Sequence, residues 1–171
     1  MRALLIYPEF PDTFWSFKHA LPFISKRASF PPLGLLTVAS LLPASWEKRL
    51  VDMNVEALTR KDLEWAEIIF ISAMVAQRDS AHAVAARCHD MGKRVVAGGP
   101  LFLGEHEQFT TVDHFVLGEG EVSLPPFLDD LERGRAKRLY EAEGFADMER
   151  SPMPMWELVK FRHYSSMCVQ Y

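Results

Sequence analysis

Apolar positions along this chain fall into two rhythms. The first is the short continuous run. Ala3-Leu4-Leu5-Ile6-Tyr7, closed by Pro8, shows no polar alternation and predicts a strand buried on both faces. Residues 68–71, 94–97 and 114–117, and the shorter apolar pair within Arg49-Leu50-Val51-Asp52, predict four more strands. Ile68-Ile69-Phe70-Ile71 is the most hydrophobic and belongs at the centre of a sheet.

The second rhythm is helical. Pro31-Pro32 opens a helix through Leu42, since a first-turn proline gives up an N–H that has no intrahelical acceptor, and Pro43 stops it. Asp79 or Ser80 caps a second helix, in which Ala81, Val84, Ala85, Cys88 and Met91 share a face and which ends at Gly92. Ser123 caps a third, with Pro125 and Pro126 in its first turn. Leu124, Phe127, Leu128 and Leu131 lie on one face, and Gly134 ends it.

Strands that alternate with helices require crossovers, and crossovers make a parallel sheet. The expected fold is α/β and Rossmann-like, a five-stranded parallel sheet in the flavodoxin-like order 2-1-3-4-5 with helices on both faces. Three segments depart from the pattern. The loop from Pro8 to about Pro31 carries Phe10, Phe14, Trp15, Phe17, Phe23 and Phe30, with a short helix expected around residues 14–23. Residues 135–150 are charged, and Ser151-Pro152-Met153-Pro154-Met155 reads as an extended linker. Residues 164–171 are β-prone, with Met167 and Val169 apolar, and read as the truncated start of a second domain. The division is then 1–134 for the Rossmann-like domain and 135–171 for the linker and lead-in. The last ~15 residues are expected to fray, to fold back on the sheet or to pair with another copy.

Composition narrows the class. With 171 residues, 49% hydrophobic and 25% charged, the chain is that of a globular protein with a real core. A net charge of −4 and the lack of any basic run argue against nucleic acid as a partner. No apolar run approaches the roughly 20 residues of a membrane span. Cys88 and Cys168 are too far apart for a C-x-x-C pair and read as reduced thiols. No signal peptide is recognised, so the expected location is the cytoplasm.

Ligands of open parallel sheets bind outside the carboxyl ends of the strands. Here those ends are Tyr7-Pro8-Glu9-Phe10, Ser72-Ala73-Met74, Gly98-Gly99-Pro100 and Gly118-Glu119-Gly120-Glu121. Three contain glycine or serine, which admit close approach to the backbone or offer a hydrogen bond. Other chemistries fail on their motifs. There is no G-x-x-x-x-G-K-[ST], and Gly118-Glu119-Gly120 lacks the third glycine of a dinucleotide site. Ser72 stands where a phosphoacceptor receiver needs aspartate, and no Ser/Thr-rich loop follows the first strand to hold flavin phosphate. His19, His82, His89, His106, His114 and His163 form no tight metal spacing. Glu105-His106-Glu107 reads as a solvated loop, and Asp129, Asp130 and Glu132 as a solvated helix face. The residues describe a binding module.

Three motifs in this order carry a resemblance: Lys26-Arg27-Ala28-Ser29-Phe30-Pro31-Pro32-Leu33-Gly34-Leu35-Leu36-Thr37, Gly98-Gly99-Pro100 and Gly118-Glu119-Gly120-Glu121. Together they resemble the N-terminal cobalamin-binding-type domain of cobalamin-dependent radical S-adenosylmethionine enzymes, in the branch of hopanoid methylases and anaerobic magnesium-protoporphyrin monomethyl ester cyclases. The resemblance implies a corrinoid held by Pro8, Phe10, Ser72, Ala73, Met74, Gly98, Gly99, Pro100, Gly118, Glu119, Gly120 and Glu121. Ser72 would hydrogen-bond the nucleotide tail, and Gly98-Gly99 would let that tail slide between sheet and helix. The aromatic loop from Phe10 to Phe17 would lie against the corrin or against a catalytic barrel.

It also implies a parent enzyme, a methyltransferase or cyclase acting on a lipid-like or tetrapyrrole substrate. Its 4Fe–4S cluster and S-adenosylmethionine would sit in that barrel, outside this chain, which would hold no catalytic or metal-ligating residue. Cys168 reads as a buried structural thiol. One motif departs: Asp12-Thr13-Phe14 does not begin the D-x-H-x-x-G that brings a histidine to cobalt, and His19 has the wrong context. Either cobalamin binds without histidine ligation, or the domain is a non-catalytic docking unit that binds none. The implied partners are the corrinoid, the parent's own barrel and, through the tail, a second copy.

Overall fold

The computed structural model describes residues 1–12, 21–147, 149 and 151–167. Arg2–Tyr7 forms β1, Leu33–Leu41 α1, Glu47–Asp52 β2, Arg60–Trp65 α2, Ile68–Ser72 β3 and Arg78–Asp90 α3. Arg94–Gly98 follows as β4, Pro100–Glu105 as α4, His114–Leu117 as β5, Gly120–Glu132 as α5 and Leu139–Glu141 as β6. The strands form one sheet in the order β2-β1-β3-β4-β5-β6, and every pairing is parallel.

The sheet therefore has six strands, not five. The extra strand, β6, pairs Phe115 with Leu139, Val116 with Tyr140 and Leu117 with Glu141. Only Tyr140 of its three residues is buried, so an edge strand of this length leaves almost no hydrophobic pattern. Two short helices were also hidden. The first, α2, opens on a reciprocal cap in which Thr59 Oγ1 accepts from the Asp62 amide while Asp62 accepts from the Thr59 amide. The second, α4, starts with Pro100 directly after the glycine turn.

Both expected caps are displaced. Helix α3 begins at Arg78, continuing from a 3-10 turn at Val75–Gln77, and the Ser80 hydroxyl instead accepts from the Glu9 amide at 3.0 Å. Ser123 is the fourth residue of α5, buried, and its hydroxyl donates to the Glu119 carbonyl at 3.0 Å. Pro125 and Pro126 consequently lie inside the helix, where they remove the N–H donors for the Glu121 and Val122 carbonyls. The alternating strand side chains fill two layers. Leu4, Ile6, Ile69, Ile71, Val95 and Phe115 pack under α2, α3 and α4. Ala3, Leu5, Ile68, Phe70, Val96 and Val116 pack under α1 and α5.

Of the aromatic loop, residues 13–20 lie outside the described residues, and a 3-10 turn at Leu21–Ile24 comes next. Of the expected terminal strand, residues 168–171, with Cys168, also lie outside. The preceding part folds back on the domain. Ala28 bridges Tyr164 in parallel fashion, and Val159 and Tyr164 join Ala28, Leu36 and Val55 in a third apolar cluster. Cys88 is buried in the α3 layer, and burial pushes its thiol up to about 12, which leaves it inert at neutral pH.

A polar tie secures the folded-back segment. The Tyr164 hydroxyl donates to Asp52 Oδ2 at 2.9 Å, while Asn54 donates to Asp52 Oδ1 from its amide at 2.9 Å and its side chain at 2.7 Å. Asp52 is only 2% exposed. Burial raises its carboxyl above the usual range, and the hydrogen bonds from Asn54 and Tyr164 oppose that rise. Because the native carboxyl holds its proton more tightly than the unfolded one, its contribution to stability is complete below the ordinary carboxylate range. It is lost as pH rises through the raised native value. Tyr164→Phe removes one donor that limits this loss. Urea titrations should show a destabilisation of about 1–3 kcal/mol at neutral pH, shrinking toward acid. A gap that does not change with pH would contradict this assignment.

Candidate functional site

The carboxyl ends of β3, β4 and β5 meet the facing sides of α1 and α5 around a cavity of about 280 Å³. Phe70, Val96 and Val116 of the sheet, Leu35 of α1 and Leu124 of α5 supply buried apolar wall. Its mouth lies where Ser72, Gly98-Gly99 and the turn from Gly118 to Glu121 come together.

The glycine pair has a packing reason. A Cβ on Gly98 would stand 2.6 Å from the Val116 carbonyl oxygen of the neighbouring strand. Gly99 has φ +92°, and a Cβ there would stand 2.6 Å from Ser72 Oγ and 3.3 Å from the Ala73 amide nitrogen. Glycine is thus required for β4 to end this close to its neighbours, and the same lack of side chains keeps the mouth open. Ser72 is half-buried there, and among the described residues its hydroxyl has no hydrogen-bond partner.

Seven residues singled out in the sequence line the groove: Ser72, Gly98, Gly99, Gly118, Glu119, Gly120 and Glu121. The other five lie off it. Ala73 is buried, its carbonyl accepting from the Leu101 amide at 3.0 Å. Met74 is largely exposed, and Pro100 opens α4. Pro8 and Phe10 belong to a separate network: the Pro8 carbonyl accepts from the Gln77 and Asn54 side-chain amides, and the Phe10 amide donates to Asn54 Oδ1.

The two glutamates are engaged within the chain. Glu119 Oε2 accepts from the Ala146 amide at 2.6 Å, and Glu121 Oε1 accepts from the Ser151 hydroxyl. They fasten the segment after β6 to the start of α5. Glu105 closes α4 rather than lying in a solvated loop, and forms a two-pronged ion pair with Arg78 that holds its carboxyl below the usual range. The described histidines stay away from the groove. His82 stacks on Phe109 at 3.8 Å, and His106 Nδ1 lies 3.2 Å from the Phe102 carbonyl. His114 Nδ1 lies 2.7 Å from the Lys137 carbonyl, and His19 is outside the described residues. Among the described residues no three His, Cys, Asp or Glu side chains converge as for a metal ion, and no helix is long and apolar enough to cross a membrane.

One wall of the groove comes from residues that were not expected to hold a ligand. Gly34, Thr37, Val38 and Leu41 of α1 line it, at the spacing i, i+3, i+4, i+7 that marks one helix face. That spacing stands in the sequence, but reads equally as a face packed on a sheet.

Residues 24–128 match the family described as B12 binding domain. An uncharacterised methyltransferase of Synechocystis sp. is 41% identical over 173 residues, covering 100% of this chain and 32% of the relative. The hopanoid C-2 methylase of Rhodopseudomonas palustris is 31% identical over 175 residues, covering 99% of this chain and 33% of the relative. An uncharacterised methyltransferase of Pyrococcus horikoshii is 25% identical over 168 residues, covering 80% of this chain and 36% of the relative. The chain spans about a third of the length of these curated relatives.

Ser72 and Gly99 touch, but they should respond oppositely to alanine. Gly99→Ala places a side chain at positive φ and against Ser72 Oγ, and should cost about 1–3 kcal/mol in urea titration. Ser72→Ala breaks no internal hydrogen bond and should stay within about 0.5 kcal/mol of the parent.

Proposed function

The chain belongs to the B12 binding domain family, and on that premise we propose that its groove takes the nucleotide tail of a corrinoid for a methyl-transferring enzyme. The observation that carries this reading is the groove's form: an apolar slot between sheet and helices, a mouth without side chains at Gly98-Gly99, and one unengaged hydroxyl at Ser72. A cavity of about 280 Å³ falls just below the ~300 Å³ at which pockets for drug-sized ligands begin. It suits one arm of a large cofactor, not the whole. The macrocycle would rest outside, over the carboxyl ends of the strands, and the bound cofactor would supply a transferable methyl group.

This chain's own part is to hold and orient. Gly98 and Gly99 admit the tail, Ser72 donates a hydrogen bond at the mouth, and α1 and α5 exclude water from the slot. Asp12-Thr13-Phe14 does not begin the motif that brings a histidine to cobalt, and on that ground cobalamin would be held without a histidine ligand. The names of the relatives favour methyl transfer over cyclisation. By the motif resemblance, a 4Fe–4S cluster, S-adenosylmethionine and the contacts to a lipid-like or tetrapyrrole substrate would come from a catalytic barrel, joined through the segment after residue 134.

Purified protein incubated with hydroxocobalamin and freed of unbound ligand by gel filtration should retain the corrinoid, with a visible spectrum lacking histidine ligation. Gly34→Phe supplies the control. A Cβ at Gly34 meets nothing within 4 Å, so the fold should tolerate the ring while the groove loses room, and retention should drop at least about tenfold with no loss of stability. Ser72→Ala should weaken retention about three- to tenfold, the worth of one hydrogen bond. A colourless protein peak from the parent would replace this reading with that of a docking domain that carries no cofactor.

A further inference from the structure

The sequence holds no run of basic residues, but the fold assembles a basic surface. The chain after the linker returns beside the loop that precedes α1. Arg27 and Ala28 donate their amides to the His163 carbonyl at 2.8 and 3.1 Å, and Ser165 and Ser166 donate theirs to the Ala28 and Ser29 carbonyls. This pairing brings Lys26 and Arg162, 136 positions apart, within one hydrogen bond, from Lys26 Nζ to the Arg162 carbonyl at 3.2 Å. Arg27 is exposed and spends one prong of its guanidinium on the Val55 carbonyl. Lys160 pairs with Glu56 at 2.8 Å. Burial, and then the nearby Arg162, Arg27 and Lys160, hold the His163 imidazole below its usual range, so it stays neutral at pH 7. Among the described residues, Lys26, Arg27, Lys160 and Arg162 thus face Glu56 at this surface, an excess of positive charge on a chain of net charge −4.

The same surface carries apolar side chains that the fold does not bury. Phe23 and Ile24 end the 3-10 turn Leu21–Ile24 and are 92% and 59% exposed. The Lys26 amide closes that turn on the Leu21 carbonyl at 3.0 Å, which sets both apolar side chains next to the cations. Phe161, between Lys160 and Arg162 in the chain, is exposed too. Single exposed apolar side chains are common, but a group of them flanked by lysine and arginine has the composition of a surface that lies in a membrane interface.

We propose that this surface docks the protein on an anionic bilayer, with Phe23 and Ile24 entering the headgroup region and the four cations set against lipid phosphates. Charge complementarity selects this partner. A purely apolar protein surface would leave the cations unpaired, whereas an anionic interface takes both kinds of side chain at once. The contact is peripheral and needs no spanning helix. From Phe30, beside the paired segments, the chain reaches Gly34 in the groove wall within four residues, so docking brings the groove next to the bilayer. The proposal stands whatever ligand the groove holds.

The test sediments full-length protein with vesicles of phosphatidylcholine alone and of phosphatidylcholine mixed with phosphatidylglycerol. The protein should pellet with the mixed vesicles and not with the neutral ones, and salt should release it as screening shortens below about 8 Å. Lys26→Glu combined with Arg162→Glu should lower partitioning at least about tenfold. Phe23→Ser, at a side chain the fold leaves in water, should lower it about tenfold while leaving the salt dependence in place. Both variants should keep the parent's urea midpoint. Full-length protein left in the supernatant by the mixed vesicles would overturn the proposal and assign the surface to a protein contact instead. Equal binding to neutral vesicles, or binding untouched by the charge reversal, would overturn it as well.

Discussion

The strands at the centre of the sheet are buried on both faces, and the remaining architecture answers to that condition. β1 and β3 offer no polar side to water, so each passage between neighbouring strands has to cross a face and cover it. Parallel strands follow, and with them all carboxyl ends on one edge. That edge is where the backbone changes direction four times within a small area. The groove exists because two of those turns, Gly98-Gly99 and Gly118-Glu119-Gly120, bring little side-chain bulk to the place where α1 and α5 approach the sheet.

Strongly hydrophobic elements were legible in the sequence, and weakly hydrophobic ones were not. The five expected strands sit within two residues of their bounds, and in β1, β3, β4 and β5 most side chains are buried, as their composition says; β2 has only Val51 and Asp52 buried. β6 has one buried residue, and α2 and α4 have six residues each. Their stability comes from partners distant in the sequence, which a local pattern does not report. The helix around Ser123 shows a second kind of miss. Serine followed by prolines has the signature of a helix start, yet α5 is capped four residues earlier, at Glu119, whose carbonyl accepts from both the Ser123 amide and its hydroxyl.

The candidate site divides along the same line. Small residues at strand ends pointed to the edge where the groove lies, and seven of the twelve residues line it. Pro8 and Phe10 did not, because Asn54 and Gln77 draw that loop into a separate network. The α1 wall escaped notice because a face turned to a ligand and a face turned to a sheet have the same periodicity. The Gly118-Glu119-Gly120-Glu121 turn combines two tasks: its backbone borders the groove, while its carboxylates tether the chain beyond β6.

The sheet's order has a practical consequence for anyone dissecting this protein. The stretch that carries the family pattern, residues 24–128, starts after β1 and stops before β6. A fragment cut to those limits would lose a central strand from between β2 and β3 and uncover one edge of β5. It would expose unpaired amides and carbonyls on three strands, a surface primed for aggregation. The stretch matched by the family pattern is smaller than the stretch that shares one sheet.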